Sequence, residues 1–353
     1  MKEIDVKAKT ISLDFEPLIL KTKHPFGISY GTSSDTHNTL VRLSWKGHVG
    51  FGEASATSYH DETPQTVDAL LKAWSESNIL GDDPFEIEAV TRRLDKSVSG
   101  NRSAKAAVEM ALHDLVGKIL SKPLIDIFGL KGIQPPITDF TIGIDNLDMV
   151  AKKTEEAIAD GYKHLKVKQG TDNDKEIIRT IRKVAGDIPI RVDANGAWDA
   201  KKAIEMSRFL AEEGVEFIEQ PLSKYASKEE WRFTRERTHI PIYADESVCT
   251  SGDLAKLAGC VDGVVVKLMK TGGLKEAMRV IHLARAQGVK VMIGCMIESS
   301  VGIAAACQIA PLADHLDLDG ALLLANDPFD GPFYEDGYLK LKDLPGLGVV
   351  ERA

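Results

Sequence analysis

The chain has 353 residues, with hydrophobic and charged shares of 43% and 27% that are ordinary for a globular protein. Its formal net charge of −9 argues against a nucleic-acid partner, which would require a basic face. The acidic N-terminus is unlike a signal peptide, and no run approaches the roughly 18 apolar residues of a membrane span. We therefore expect a cytoplasmic protein with no membrane partner. Its four cysteines lack CxxC spacing, which favours buried reduced thiols over a zinc site or disulfides.

The first part of the chain is predicted to be mainly strands, followed by helices. Alternating runs at 4–18 and 39–45 indicate strands. Between them, the Gly- and Ser-rich stretch at 24–32 predicts a mobile loop, and a second loop is expected at 54–63. Helical periodicity then continues to about residue 122. Together these elements predict an α+β capping domain over residues 1–125.

From about residue 137, strands and helices alternate. The eight predicted strands lie near 138–142, 164–167, 188–192, 215–218, 240–244, 263–266, 289–293 and 315–318. Eight strands with seven helical crossovers predict the α/β class, as a (β/α)7β modified TIM barrel over residues 126–324. An open doubly wound sheet is the alternative, but no GxGxxG follows the first strand. The segment 325–353 is expected to rejoin the N-terminal domain.

Acidic residues follow three neighbouring strands of the predicted barrel. Asp193, Glu219 and Asp245 end the third, fourth and fifth strands, so they should converge at one face. Three carboxylates held together repel one another unless a cation neutralises them. Oxygen ligands without nearby His or Cys favour Mg²⁺, with Mn²⁺ second. Any one of these acids alone could equally be a solvated loop residue or a helix cap.

Lysines end the strands on either side of these acids. Lys168 ends the second strand and Lys267 the sixth, so they should flank the metal from opposite sides. A nearby cation would lower the pKa of such an amine and let it act as a base. A single lysine would more often be a surface residue, but here two face each other across three acids. Lys166 points the same way as Lys168 and could bind the substrate's charge or lower its neighbour's pKa.

These motifs resemble the enolase superfamily and, within it, the muconate-lactonising-enzyme subgroup. They are Lys-x-Lys at 166–168, Asp-x-Asn at 193–195, Glu-Gln-Pro at 219–221, Ala-Asp-Glu-Ser at 244–247 and Lys-Leu-Met-Lys-x-Gly-Gly at 267–273. The resemblance covers essentially the whole chain. It implies a cap over a barrel, and a carboxylate substrate on Mg²⁺ that loses its α-proton to give an enediolate; a lysine base working with Mg²⁺ is a known property of this superfamily.

The last strand carries a pair of acids, Asp317 and Asp319, on one side. Such a pair suits a substrate ammonium group, although an acidic strand end in solvent is the simpler interpretation. The pair is similar to that of the dipeptide epimerases of the subgroup, where it holds the dipeptide's amine. That resemblance implies that Thr141 and the backbone of Cys295 also contact the dipeptide. It also implies epimerisation at the Cα of the C-terminal residue by two lysines, in a protein expected to form homo-oligomers.

The first predicted loop suggests which dipeptides are preferred. Ala-Glu-specific members carry an arginine there, at a position that matches Gly31 when the chains are aligned on Pro25 and Phe26. Without a guanidinium, a glutamate side chain lacks its bidentate partner. We therefore predict a preference for apolar or small C-terminal residues. The residues of this specificity loop are His24, Phe26, Ile28 and Tyr30.

Other chemistries on the same scaffold compete with this interpretation. o-Succinylbenzoate synthase, N-succinylamino acid racemase and muconate cycloisomerase resemble the chain in the same lysines and metal ligands. Asp317 and Asp319 would be pointless or repulsive toward a succinyl or muconate carboxylate. A non-catalytic metal-dependent binding protein would be expected to lack a base or a ligand, and none is missing.

Overall fold

The computed structural model describes residues 10–352, so the start of the predicted run at 4–18 lies outside the described residues. The N-terminal domain begins with an antiparallel sheet in the order β1-β2-β3, formed by β1 (Ser12–Ile28), β2 (Gly31–Trp45) and β3 (His48–Ala54). A short 3₁₀ turn, Ser58–His60, precedes α1 (Pro64–Ser75), α2 (Ile87–Ser97), α3 (Arg102–Ile119) and α4 (Leu124–Ile127). Strands followed by helices confirm the predicted α+β organisation.

The helix α3 packs directly against the sheet. Gly50 and Gly52 of β3 permit this close approach, because a Cβ on either would collide with the α3 backbone at Ala111 or Ala107. The apolar face of α3 and the inner face of the sheet form a core separate from that of the barrel.

The stretch at 24–32 is not the loop that its composition predicts. β1 continues to Ile28 and β2 begins at Gly31, so this stretch is the tip of a hairpin. The pairing register shifts between Lys21 and Phe26. This shift brackets a proline, which cannot donate a ladder hydrogen bond. The Gly- and Ser-rich composition therefore belongs to an irregular strand pair.

The second domain is a parallel barrel with its eight strands in consecutive order. They are β4 (Phe140–Ile142), β5 (Leu165–Lys168), β6 (Ile190–Asp193), β7 (Val215–Glu219), β8 (Ile242–Ala244), β9 (Gly263–Val266), β10 (Lys290–Gly294) and β11 (His315–Asp317). A parallel bridge between Thr138 and Leu316 links the two ends of the sheet and nearly closes the barrel. The predicted (β/α)7β architecture is confirmed.

Helices cover the outside of the barrel: α5 (Leu147–Ala159), α6 (Asp174–Ala185), α7 (Ala200–Glu212), α8 (Lys228–Arg235), α9 (Ser251–Lys256), α11 (Leu274–Ala286) and α12 (Ser300–Cys307). A short helix, α10 (Leu268–Thr271), lies between β9 and α11 and packs against α3 of the N-terminal domain. A second 3₁₀ turn, Ala310–Leu312, precedes the last strand of the barrel. Because helices cover the sheet outside and side chains fill it inside, β5, β6 and β9 are buried along their whole length. Among residues 10–352, no helix is both long enough and apolar enough to cross a membrane.

The C-terminal segment forms two small ladders and contacts the N-terminal domain. The ladders pair β12 (Phe329–Asp330) with β15 (Val350–Glu351) and β13 (Phe333–Glu335) with β14 (Tyr338–Lys340). Arg42 of β2 contacts Glu351 at 2.7 Å, and the Leu347 amide donates to Asp114 of α3 at 2.8 Å. The domain limits 1–125, 126–324 and 325–353 stay predictions.

Candidate active site

The structure gathers the three predicted metal ligands at the carboxyl ends of adjacent strands. Asp193 ends β6, Glu219 ends β7, and Asp245 directly follows β8. Each offers a carboxylate oxygen, and these oxygens all lie within 4.8 Å of one another. All three side chains are buried. The acids therefore form one cluster, here called the carboxylate triad.

The triad has the properties of a metal site. Both carboxylate oxygens of Glu219 and the Oδ1 of Asp245 are buried and accept no hydrogen bond. The amines of Lys166 and Lys270 lie close enough for ion pairs, with Lys166 Nζ 2.7 Å from Glu219 Oε2, but neither is aligned to donate to those oxygens. Burial, together with Asp193, raises the pKa of Glu219 well above its usual range. Three buried carboxylates held this close repel one another, and an oxygen-only donor set fits Mg²⁺.

The two predicted bases flank the triad. In strand order Lys168 lies on one side, on β5, and Lys267 on the other, just past β9. Lys168 Nζ donates to Asp193 Oδ2 at 2.6 Å, and Lys267 Nζ donates to Asp245 Oδ2 at 2.6 Å. Both lysines line the same cavity. The arrangement brings two amines to one space from different strands.

The protein's own side chains raise the pKa of two lysines at the site, whereas the predicted lowering requires a bound cation. Burial lowers the pKa of Lys267, but Asp245 and other carboxylates outweigh burial and raise it well above the usual range. The pKa of Lys166 is raised in the same way, because Asp317 and Glu219 outweigh its burial. The predicted lowering rests on a cation that would neutralise these acids. The protein's own side chains have the opposite effect.

Lys166 connects the triad with the acid pair of the last strand. Its Nζ lies 3.1 Å from Asp193 Oδ2 and 2.7 Å from Asp317 Oδ2. The side chain is 1% exposed, and it is not part of the cavity wall. Lys166 therefore neutralises carboxylates without forming part of the cavity wall.

The acid pair lies with Thr141 and Cys295, two of the other residues predicted to bind substrate. The Thr141 amide donates to Asp319 Oδ2 at 2.6 Å, and the Thr141 hydroxyl donates to Asp317 Oδ1 at 3.2 Å. The Cys295 thiol donates to the Asp317 carbonyl at 3.3 Å. Burial, followed by the charge of Asp317, raises the pKa of Asp319 to about 7. All four residues line the cavity that Lys168 and Lys267 enter.

The cavity has a volume of about 390 Å³ and lies between the hairpin tip and the barrel. Its apolar and aromatic wall comes from both domains: Phe26, Ile28, Tyr30, Tyr59, Met296, Ile297 and Leu323. Tyr30 stacks on Tyr59 with ring centroids 5.0 Å apart. Within residues 10–352, the wall contains no arginine, and its basic side chains are Lys168 and Lys267. His24 does not reach this cavity; it contacts Glu156 at 3.0 Å.

Sequence reasoning missed residues that support the ligands. Asn195 donates to Asp193 at 3.4 Å and to Glu246 at 3.1 Å, and Gln220 accepts a hydrogen bond from the Asp245 amide at 2.8 Å. Both have positive φ, 43° and 38°, which is unusual for residues other than glycine and often marks functional sites. The sequence carries a signal for both, because Asn195 lies two residues after Asp193 and Gln220 directly follows Glu219. Nothing in the sequence marks Tyr59 as a residue of the cavity wall.

Comparison with known families agrees with this geometry. Residues 16–129 match the family "Mandelate racemase / muconate lactonizing enzyme, N-terminal domain". Residues 149–352 match the family "Enolase C-terminal domain-like". The fold and the site define a capped barrel with a buried carboxylate triad that could hold a metal ion. The chain belongs to the mandelate racemase/muconate lactonizing enzyme family of the enolase superfamily.

Individual relatives align over nearly the full chain. It is 42% identical to an L-Ala-D/L-Glu epimerase of Bacteroides thetaiotaomicron over 342 residues, covering 97% of this chain and 88% of the relative. It is 36% identical to a hydrophobic dipeptide epimerase of Roseobacter litoralis, covering 96% and 99%. A dipeptide epimerase of Cytophaga hutchinsonii, solved with Mg and D-Ala-L-Val, superposes with a TM-score of 0.92 at 30% identity, covering 97% and 96%.

Proposed function

We propose that this protein is a Mg²⁺-dependent dipeptide epimerase that inverts the Cα of the C-terminal residue by two-base proton transfer. The observation that carries this proposal is the placement of Lys168 and Lys267 on either side of the triad, in one cavity that also contains Asp317 and Asp319. The relatives named above are epimerases, and the Cytophaga hutchinsonii structure contains Mg and a dipeptide.

Substrate binding would use both charged parts of the site. Asp193, Glu219 and Asp245 would hold Mg²⁺, which when bound supplies positive charge for the substrate carboxylate and for the negative charge that develops on proton loss. Asp317 and Asp319 would bind the α-ammonium group through charge-assisted hydrogen bonds. The two ends of the dipeptide are thereby fixed.

Inversion would follow from the two lysines. The amine that is neutral takes the α-proton and becomes an ammonium group. The other lysine, already protonated, donates its proton to the opposite face of the same carbon and becomes neutral. The reaction consumes no net proton, and the enzyme is left ready for the reverse direction. A single base on one face would favour retention or elimination, so the opposed pair is the feature that inversion requires.

The cavity supports a preference for an apolar or small C-terminal residue. Phe26, Ile28 and Tyr30 contribute apolar and aromatic surface, and no arginine occurs on the wall among the residues that the structure describes. A buried glutamate side chain would lack a charged partner there. The relatives' names include both an Ala-Glu and a hydrophobic dipeptide epimerase, so the preference rests on the cavity itself.

Proton exchange in heavy water tests the proposal. Pools of L,L-dipeptides are incubated with the protein and Mg²⁺ in D₂O and followed by NMR, with Lys163→Ala, a change outside the cavity wall, as a control. We expect deuterium at the Cα of the C-terminal residue and formation of the L,D diastereomer. A lack of exchange with dipeptides, alongside turnover of N-succinylamino acids or muconate, would contradict the proposal. Strong preference for acidic C-terminal residues would contradict the predicted selectivity.

A further inference from the structure

The hairpin tip is docked on the loop that follows the first barrel strand. The Ile144 amide donates to the Gly27 carbonyl at 2.9 Å. A Cβ on Gly27 would collide with the Ile144 carbonyl, so only glycine permits this approach. Phe26 and Ile28, on either side of this glycine, both line the active-site cavity. The backbone contact therefore lies within the strand that forms one wall of the pocket.

A buried lysine outside the cavity completes this contact. Lys153 of α5 is 7% exposed, and its Nζ donates to the Pro25 carbonyl at 3.3 Å and to Asp145 Oδ2 at 3.0 Å. It therefore joins a barrel helix and the loop after β4 to the strand that carries Phe26. The neighbouring residue His24 pairs with Glu156, but these side chains are 41% and 43% exposed. This pair therefore contributes less to holding the tip than the Lys153 contact does.

We propose that Lys153 is a positioning residue that holds the hairpin tip against the barrel and thereby sets the size of the pocket for the C-terminal side chain of the substrate. The effect on substrate size rests on the proposed function, whereas the contact that holds the hairpin tip against the barrel does not. Lys153 does not line the active-site cavity, so its effect would be transmitted through Pro25 and Phe26.

Lys153 should hold the tip most strongly because its contact with Pro25 is both buried and charged. The Ile144–Gly27 contact is uncharged, and the His24–Glu156 contact is exposed. A hydrogen bond from an ammonium group to a carbonyl is stronger than one between neutral groups. When it is removed, the Ile144–Gly27 bond and the exposed His24–Glu156 pair remain. The tip should then stay folded but sample more open positions, so the pocket becomes less selective for size.

The test compares Lys153→Met with Lys152→Met. Methionine keeps much of the length of lysine but removes the ammonium group. Asp145, which loses its partner in this variant, can still be hydrated because its side chain is 25% exposed. Lys152, one residue earlier, is 59% exposed and lies 3.9 Å from Glu156, so as a matched control it removes a lysine charge from α5 and leaves the contact between Lys153 and Pro25 in place. In Lys153→Met we expect about tenfold faster amide hydrogen exchange for residues 24–32, and no change in Lys152→Met. Lys153→Arg should restore slow exchange.

Kinetics supplies the second measurement. The ratio of kcat/KM for L-Ala-L-Leu to that for L-Ala-L-Ala should change about tenfold in Lys153→Met, through KM, with kcat for L-Ala-L-Ala retained. Wild-type hydrogen exchange in Lys153→Met would overturn the inference, as would an equal fall of kcat for both dipeptides. If the wild-type protein acts on no dipeptide, the proposed function fails, whereas the hydrogen-exchange comparison still decides whether Lys153 holds the tip.

Discussion

Asp319→Asn should weaken the binding of a free amine without disturbing the fold. The carboxylate is 3% exposed, and its Oδ2 accepts a hydrogen bond from the Thr141 amide at 2.6 Å. An asparagine keeps this oxygen and nearly the same volume but loses the charge that the carboxylate carries above its pKa of about 7. A hydrogen bond to a charged group contributes roughly 1.5–3 kcal/mol. Since roughly 1.4 kcal/mol is a factor of ten, kcat/KM for a dipeptide should fall about 10- to 150-fold.

The assay compares a dipeptide with its N-acetylated form, which has no ammonium group. In the wild-type protein the acetylated form should be the poorer substrate, and Asp319→Asn should reduce turnover of the free dipeptide while changing that of the acetylated one little. Asp343→Asn, at a side chain that is 87% exposed, is the control. An equal loss for both substrates would show that Asp319 does not recognise the amine.

Two further predictions concern the triad and a buried acid beside the cavity. Glu219→Gln removes one triad charge and should weaken Mg²⁺ binding by at least about 100-fold, as measured by calorimetry; unchanged affinity would exclude Glu219 as a ligand. Burial, followed by Glu53, raises the pKa of Glu298 from 4.5 to about 8. The proton on Glu298 therefore stabilises the fold fully below pH 4.5, and this stability is lost as pH rises to about 8. Urea unfolding of the wild-type protein should show the free energy of unfolding falling between pH 6 and pH 8, and Glu298→Gln should make this fall smaller by on the order of 2 kcal/mol. The same fall in both proteins would refute the prediction.

The barrel and its charged residues are predictable because the signals are local. Each buried strand is a short apolar run, and a closed parallel barrel brings all strand ends to one face. The sequence alone therefore places Asp193, Glu219, Asp245, Lys168 and Lys267 together, and the structure brings them together.

The features that the sequence does not predict depend on contacts between residues far apart in the chain. The composition of the hairpin tip predicts a loop because nothing local indicates that Ile144 and Lys153 hold it. The position of His24 in the sequence assigns it to the pocket, whereas Glu156 of α5 holds it elsewhere. The predicted direction of the Lys267 pKa shift applies to a metal-bound site, whereas Asp245 and the other acids alone give the opposite direction.

The central claim is that two lysines act on opposite faces of one carbon. It is tested most directly by Lys168→Ala and Lys267→Ala, each given the L,L and L,D diastereomers of one dipeptide with Mg²⁺ in D₂O. We predict that neither variant inverts the substrate. Each should still exchange the α-proton of only the diastereomer whose proton faces the remaining lysine, and the two variants should select opposite diastereomers. Exchange unaffected in both variants would contradict the two-base account.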